Sequence, residues 1–175
     1  MKKIILIAIM AVAGFAAVVA QPRAIGVNLG YGVDVSYQHS IGESNMIDLS
    51  VNIPAFVGVG VTTTYDWVNP FGTVIPWNNK GEWNWNLGVG AGLGIYHPFA
   101  TVSELNEQGG LDKVWAGNIY AGAVGHVGVS YDFWFPLQLS LDYRPNIGIY
   151  NSYGGVHFNM TGIITGVTLG VRYLF

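Results

Sequence analysis

Counted back from its last residue, the chain alternates. Phe175, Tyr173, Val171, Leu169 and Val167 are large and apolar, and Arg172, Gly170, Thr168 and Gly166 between them are small, polar or charged, with Leu174 the exception. A period of two marks a strand with one apolar and one polar face. From Ala24 onward the same alternation recurs in short segments separated by turn residues, with no helical period. Ile25, Val27, Leu29 and Tyr31 form one face of a first strand, and Val33, Val35 and Tyr37 that of a second, after a reversal at Gly30-Tyr31-Gly32. Past a turn at Gly42–Asn45, a third strand sets Ile47, Leu49, Val51 and Ile53 against Asp48, Ser50 and Asn52, and Pro54 closes it.

A fourth strand, about Val57 to Val68, turns Val57, Val59, Val61, Thr63, Tyr65 and Trp67 one way and Gly58, Gly60, Thr62, Thr64 and Asp66 the other. The following stretch, with Pro70, Gly72, Pro76 and Asn78-Asn79, reads as loop. The fifth strand is the clearest, with Trp83, Trp85, Leu87, Val89, Ala91, Leu93 and Ile95 alternating with Asn84, Asn86 and four glycines. Its GxGxG run would cradle a phosphate only with a helix behind it, and no helix is signalled. His97 to about Trp115 reads as an exposed loop carrying Glu104, Glu107, Asp112 and Lys113. A sixth strand runs from about Ala116 to Phe133. After an aromatic turn at Asp132–Pro136, a seventh sets Leu137, Leu139, Leu141 and Tyr143 against Gln138, Ser140, Asp142 and Arg144. A loop at Asn151–Gly155 then leads to an eighth that ends at Phe175.

Composition turns this strand count into an architecture. Hydrophobic residues make up 51 % of the chain and charged residues only 10 %, against roughly 25 % in an ordinary soluble domain. After residue 20 no apolar run approaches the roughly 20 residues of a membrane helix. Apolar residues dispersed singly among polar ones and glycines are what a transmembrane barrel requires, because half of each strand faces lipid and half the interior. The expected fold is therefore all-β: a closed antiparallel transmembrane barrel of about eight strands over residues 21–175. Ahead of it, residues 1–20 read as a cleaved signal peptide, with Lys2 and Lys3, an apolar stretch Ile4–Ala17, and small residues at Val18-Val19-Ala20. Removing it leaves five basic and ten acidic residues, a formal charge of −5. So acidic a chain without a basic patch argues against nucleic acid as a partner. Cysteine is absent, which excludes disulfides and thiol chemistry.

The last eight residues resemble the C-terminal signal that outer-membrane barrels present to their assembly machinery, with Thr168, Gly170, Tyr173 and Phe175 in its polar, glycine and two aromatic places. Four pieces, Gly32–His39, Gly81–Trp85, Leu139–Pro145 and Leu169–Phe175, are together similar to small Bacteroidetes-type outer-membrane barrels related in architecture to the OmpX and OmpA barrels. The resemblance implies a location in the outer membrane, with its lipid and lipopolysaccharide, the assembly machinery and periplasmic chaperones as partners. It implies no cofactor and no particular activity, since a fold does not carry a function with it. With both termini on the periplasmic side, Tyr65, Trp67, Trp83, Trp85, Tyr131, Phe133, Trp134 and Phe175 fall at one interface, where amphipathic rings prefer to sit.

The chemistry must lie inside. The polar faces place Asp34, Asp48, Asp66, His126, Asp132, Asp142, Arg144 and Arg172 in the lumen, where charges must pair or meet water. Eight strands enclose a space just wide enough for side chains, so the expectation is a plugged lumen in a protein with a structural or surface role. Arg172 is expected beside an Asp142–Arg144 pair. Two alternatives remain: a narrow pore whose polar ring selects solutes, or an enzyme acting on membrane lipid. The latter needs a serine within reach of a histidine. His126 and Ser130 stand about 13 Å apart along one strand, which argues against catalysis, and no histidine spacing suits a metal.

Overall fold

The computed structural model describes residues 23–55, 57–72, 80–105, 110–152, 155–161 and 166–175. The expected leader, residues 1–20, the loop segment 73–79 and Glu107 lie outside them. Twelve strands follow in chain order: β1 (Arg23–Gly30), β2 (Gly32–Ser40), β3 (Asn45–Pro54), β4 (Gly58–Pro70), β5 (Gly81–Tyr96), β6 (Thr101–Leu105), β7 (Leu111–Trp115), β8 (Asn118–Phe133), β9 (Leu137–Tyr143), β10 (Asn146–Ser152), β11 (Gly155–Thr161) and β12 (Val167–Leu174).

Eight of these close a ring, β1-β2-β3-β4-β5-β8-β9-β12, in which β12 returns to β1 and every neighbour is antiparallel. Arg23 and Phe175 exchange backbone hydrogen bonds of 3.0 and 2.8 Å and complete the seam. Closure leaves no unpaired edge around the ring. One rim holds Arg23, Phe175, the turn at 41–44 and the turn Trp134–Pro136; the opposite, far rim holds Tyr31, Ala55 and the segment between β5 and β8. At the first reversal Gly30 pairs with Gly32 around Tyr31 alone.

The alternation is inverted relative to a soluble core. Among the described residues the buried apolar side chains are Ala24, Met46, Tyr120 and Val124, whereas fourteen polar or charged residues are buried. Outward lie the aliphatic rows, such as Val59 and Val61 of β4 and Leu87, Val89 and Leu93 of β5. A row of aromatics lies on the rim that holds the termini. Tyr65 packs edge-on to Trp67 at 5.5 Å, Trp83 lies 4.9 Å from Tyr131, and Tyr131 lies 4.7 Å from Phe133. The belt continues through Phe135 to Trp134, and Tyr173 stacks on Phe175.

Three sequence expectations need correction. The stretch 97–115 is not a plain loop, because β6 and β7 pair along its length as a separate two-stranded sheet. The seventh strand is not continuous up to the loop at Asn151: it breaks at Arg144 and Pro145 and resumes as β10, which keeps pairing with β8 in the same register. Pro145, lacking an N–H, interrupts the ladder there, although its carbonyl still accepts from Gly125 at 2.8 Å. The last strand is likewise two pieces. Asn146 pairs with Thr161 and Tyr143 with Val167, so the register between the two pairings shifts by three residues. An odd shift changes the side-chain phase, as bulges do. Outward residues are accordingly Val156, Phe158 and Met160 before the break, and Val167, Leu169 and Val171 after it.

Candidate functional site

Every strand of the ring sends at least one buried polar side chain into the lumen: Asn28 from β1, Ser36 and Gln38 from β2, Asp48 and Ser50 from β3, Thr64 and Asp66 from β4, Asn86 from β5, His126 from β8, Ser140 and Asp142 from β9, and Arg172 from β12. Together they form a transverse plug. Its axis is a chain of charge-assisted contacts. Asp66 Oδ1 lies 2.7 Å from His126 Nδ1, and His126 Nε2 lies 3.2 Å from Asp142 Oδ1. Asp142 Oδ2 accepts from Arg172 at 2.9 Å. An imidazole with a carboxylate at each nitrogen is satisfied on both sides only when both nitrogens carry hydrogen.

Arg172 is fully engaged. Its Nε donates to Ser36 Oγ at 3.1 Å, one terminal nitrogen to Gln138 and Ser140, and the other to Asn28 and Asp142. Arg144 crosses the lumen instead. It leaves the end of β9 and reaches the opposite strand of the ring, β3, donating to Asp48 Oδ2 at 3.0 Å and to Ser50 Oγ at 2.6 Å. Gln38 and Ser50 supply Asp48 with two more donors, at 2.9 and 2.8 Å. Three carboxylates (Asp48, Asp66, Asp142) thus meet two guanidinium groups (Arg144, Arg172) and the imidazole of His126. That is the arrangement in which burying charge is tolerable, since each ion is both paired and hydrogen-bonded.

The expected neighbourhood of Arg172 is half present: Asp142 is its partner, and Arg144 is not beside it because its side chain points across the lumen to Asp48. Asp132 lies apart, toward the rim of the termini, accepting from Gln138 at 2.7 Å and Asn84 at 3.0 Å. Asp34 is half-buried on the far side of the plug. Thr168, Gly170, Tyr173 and Phe175 all lie at the β12 seam with β1, with Gly170 and Thr168 turned in and the two aromatics out. No family model matches the chain. No curated protein matches it either.

What sequence reasoning missed is the role of the inward glycines as spacers. Gly88 is paired with Asp66 on one side and with His126 on the other, so the two side chains meet over a residue that has none. A Cβ at Gly88 would collide with the Asp66 carboxylate. Gly128 does the same between Asn86 and Asp142, and Gly26 between Ser36 and Arg172. The composition signals many inward glycines, but only the register across three strands reveals which polar pair each one lets close.

The plug divides the interior in two. A cavity of about 120 Å³ lies toward the rim of the termini, bordered by Gln138, Asp132 and Arg172. A larger one, about 500 Å³, lies toward the far rim, bordered by Arg144 and Asp34. Among the described residues no group of three His, Asp or Glu side chains is arranged to hold a metal.

Proposed function

We propose that this protein is an integral outer-membrane barrel with a structural or surface role, its lumen closed by the polar plug, and that it is not a catalyst. The observation that carries this reading is the inverted partition: aliphatic side chains cover the outside of the ring while fully buried ions pair inside it. An apolar outer band of this extent matches a hydrocarbon solvent rather than water. The aromatic rim supplies the interfacial girdle, and outer-membrane lipid and lipopolysaccharide are the surroundings proposed. On this reading Thr168, Gly170, Tyr173 and Phe175 are read by the assembly machinery during insertion. Phe175→Asp then lowers the membrane yield in cells while the protein that does insert keeps its unfolding midpoint; an unchanged yield would count against the signal.

Planar-bilayer recording separates plugged from porous. The refolded barrel is expected to give no stable conductance steps, a reading supported by Arg172, His126 and Asp142, each at most 2 % exposed and locked to one another in the lumen. Reproducible single-channel steps would replace this reading with that of a narrow pore.

A further inference from the structure

The far half of the lumen is closed below by the plug but is not filled. Its cavity, about 500 Å³, lies within the range of about 300–1,000 Å³ usual for small-molecule sites. Arg144 and Ser50 form its floor, and Tyr31, Pro54 and His97 belong to its rim. The space exists because glycines face it from adjacent strands, Gly60 from β4 and Gly92 and Gly94 from β5. A Cβ at Gly92 would already press on Val124 at 3.2 Å.

Two buried polar atoms on residues bordering this space, Arg144 Nε and Thr168 Oγ1, have no hydrogen-bond partner among the described residues. Arg144 itself is 8 % exposed. Neither atom is exposed to the space, so an occupant meets the other polar groups of the walls instead. The charge on the floor is already compensated, because Asp48 sits 3.0 Å from Arg144, and Asp34 adds a carboxylate to another wall. Nothing there favours an anion. The walls also carry amides, Asn52 and Asn118, and the rings of Tyr96 and Tyr120, whose centroids lie 6.4 Å apart in an edge-to-face arrangement.

We infer that the far cavity is a binding site for a neutral polyhydroxylated molecule of mono- or disaccharide size. A hydroxyl both donates and accepts, so one such ligand donates to Asp34 and bonds the two amides. Its C–H face lies against the tyrosine rings, which present an apolar face with a polar edge. The site depends on the lumen alone, so a failed conductance or localisation test leaves it standing.

Calorimetric titration of the refolded full-length barrel with glucose, galactose, mannose, maltose and lactose tests the inference. At least one is expected to bind with a dissociation constant between about 10 μM and 1 mM. Thr62→Phe, which fills the cavity, and Asp34→Asn, which keeps its volume, are each expected to weaken that binding about tenfold or more. Ser130→Ala, in the smaller cavity, is expected to bind as the parent does. A urea midpoint for each variant identifies any that fails to fold, and Asp34→Asn remains decisive if Thr62→Phe does. Absence of binding by all five sugars, or binding indifferent to Asp34→Asn, overturns the proposal. Tighter binding of inorganic phosphate than of any sugar overturns its neutral ligand.

Discussion

Asp142 accepts from His126 on one oxygen and from Ser140 and Arg172 on the other, at 3.2, 2.6 and 2.9 Å, and is 2 % exposed. Removing it leaves Arg172 and one nitrogen of His126 facing no carboxylate. Breaking one partner of a buried ion pair typically costs about 3–5 kcal/mol. Asp142→Ala is therefore expected to lower the urea midpoint of the refolded barrel well below that of the parent. An unchanged midpoint would mean that water, not Asp142, satisfies these groups. Gly88 is a sharper case, because its replacement adds an atom instead of removing one. In Gly88→Ala the new methyl occupies the space where Asp66 approaches His126. We expect the refolded fraction on detergent gels to fall further than for alanine at Gly42, whose Cβ meets nothing within 4 Å but whose φ of 77° strains any side chain. Equal yields would show that the plug can spread to admit the methyl.

Among the elements, the hairpin of β6 and β7 stands apart from the ring. The two strands pair only with each other, from Thr101 with Trp115 to Leu105 with Leu111. Ala116 N donates to Ala100 O at 2.8 Å across its base, so the two ends of the excursion are already adjacent. Excising 101–115 and joining Ala100 to Ala116 through a short glycine linker should leave the unfolding midpoint close to that of the parent. A large drop would show that the hairpin braces the rim. The broken strands behave otherwise. β10 carries the β8 pairing beyond the point where β9 leaves off, and β11 pairs with β10, so they lengthen one wall of the lumen, and Asn146, Tyr150 and Asn159 border the far cavity as a result.

For the molecule as a whole, stability comes from closure. Each strand of the ring is held on both sides, and the cross-lumen contacts tie opposite walls, as Arg144 of the β9 end does with Asp48 of β3. Such a structure unfolds as a unit. The folded barrel is expected to run at a different apparent size from the boiled chain on a detergent gel, and heating should convert one band to the other without intermediates. Identical mobility of boiled and unboiled samples, at the position of the unfolded chain, would contradict a closed ring.

The direction of nearly every side chain was legible in the sequence, because facing in a strand is a local property with a period of two. Ile47, Leu49 and Val51 point out and Asp48 and Ser50 point in wherever the strand lies. The eight-strand count followed from the same alternation, interrupted by turn residues such as Gly42 and Pro136. The register shift between β11 and β12 escaped that reading, since it is visible only against the partner strands. Who meets whom inside was decided by the tertiary structure alone. Arg144 lies two residues from Asp142 but pairs with Asp48, ninety-six positions away, and His126 reaches Asp66 over a glycine of the strand between them. Register and the stagger of the closed ring set which side chains share a height in the lumen, and neither is written in any single strand.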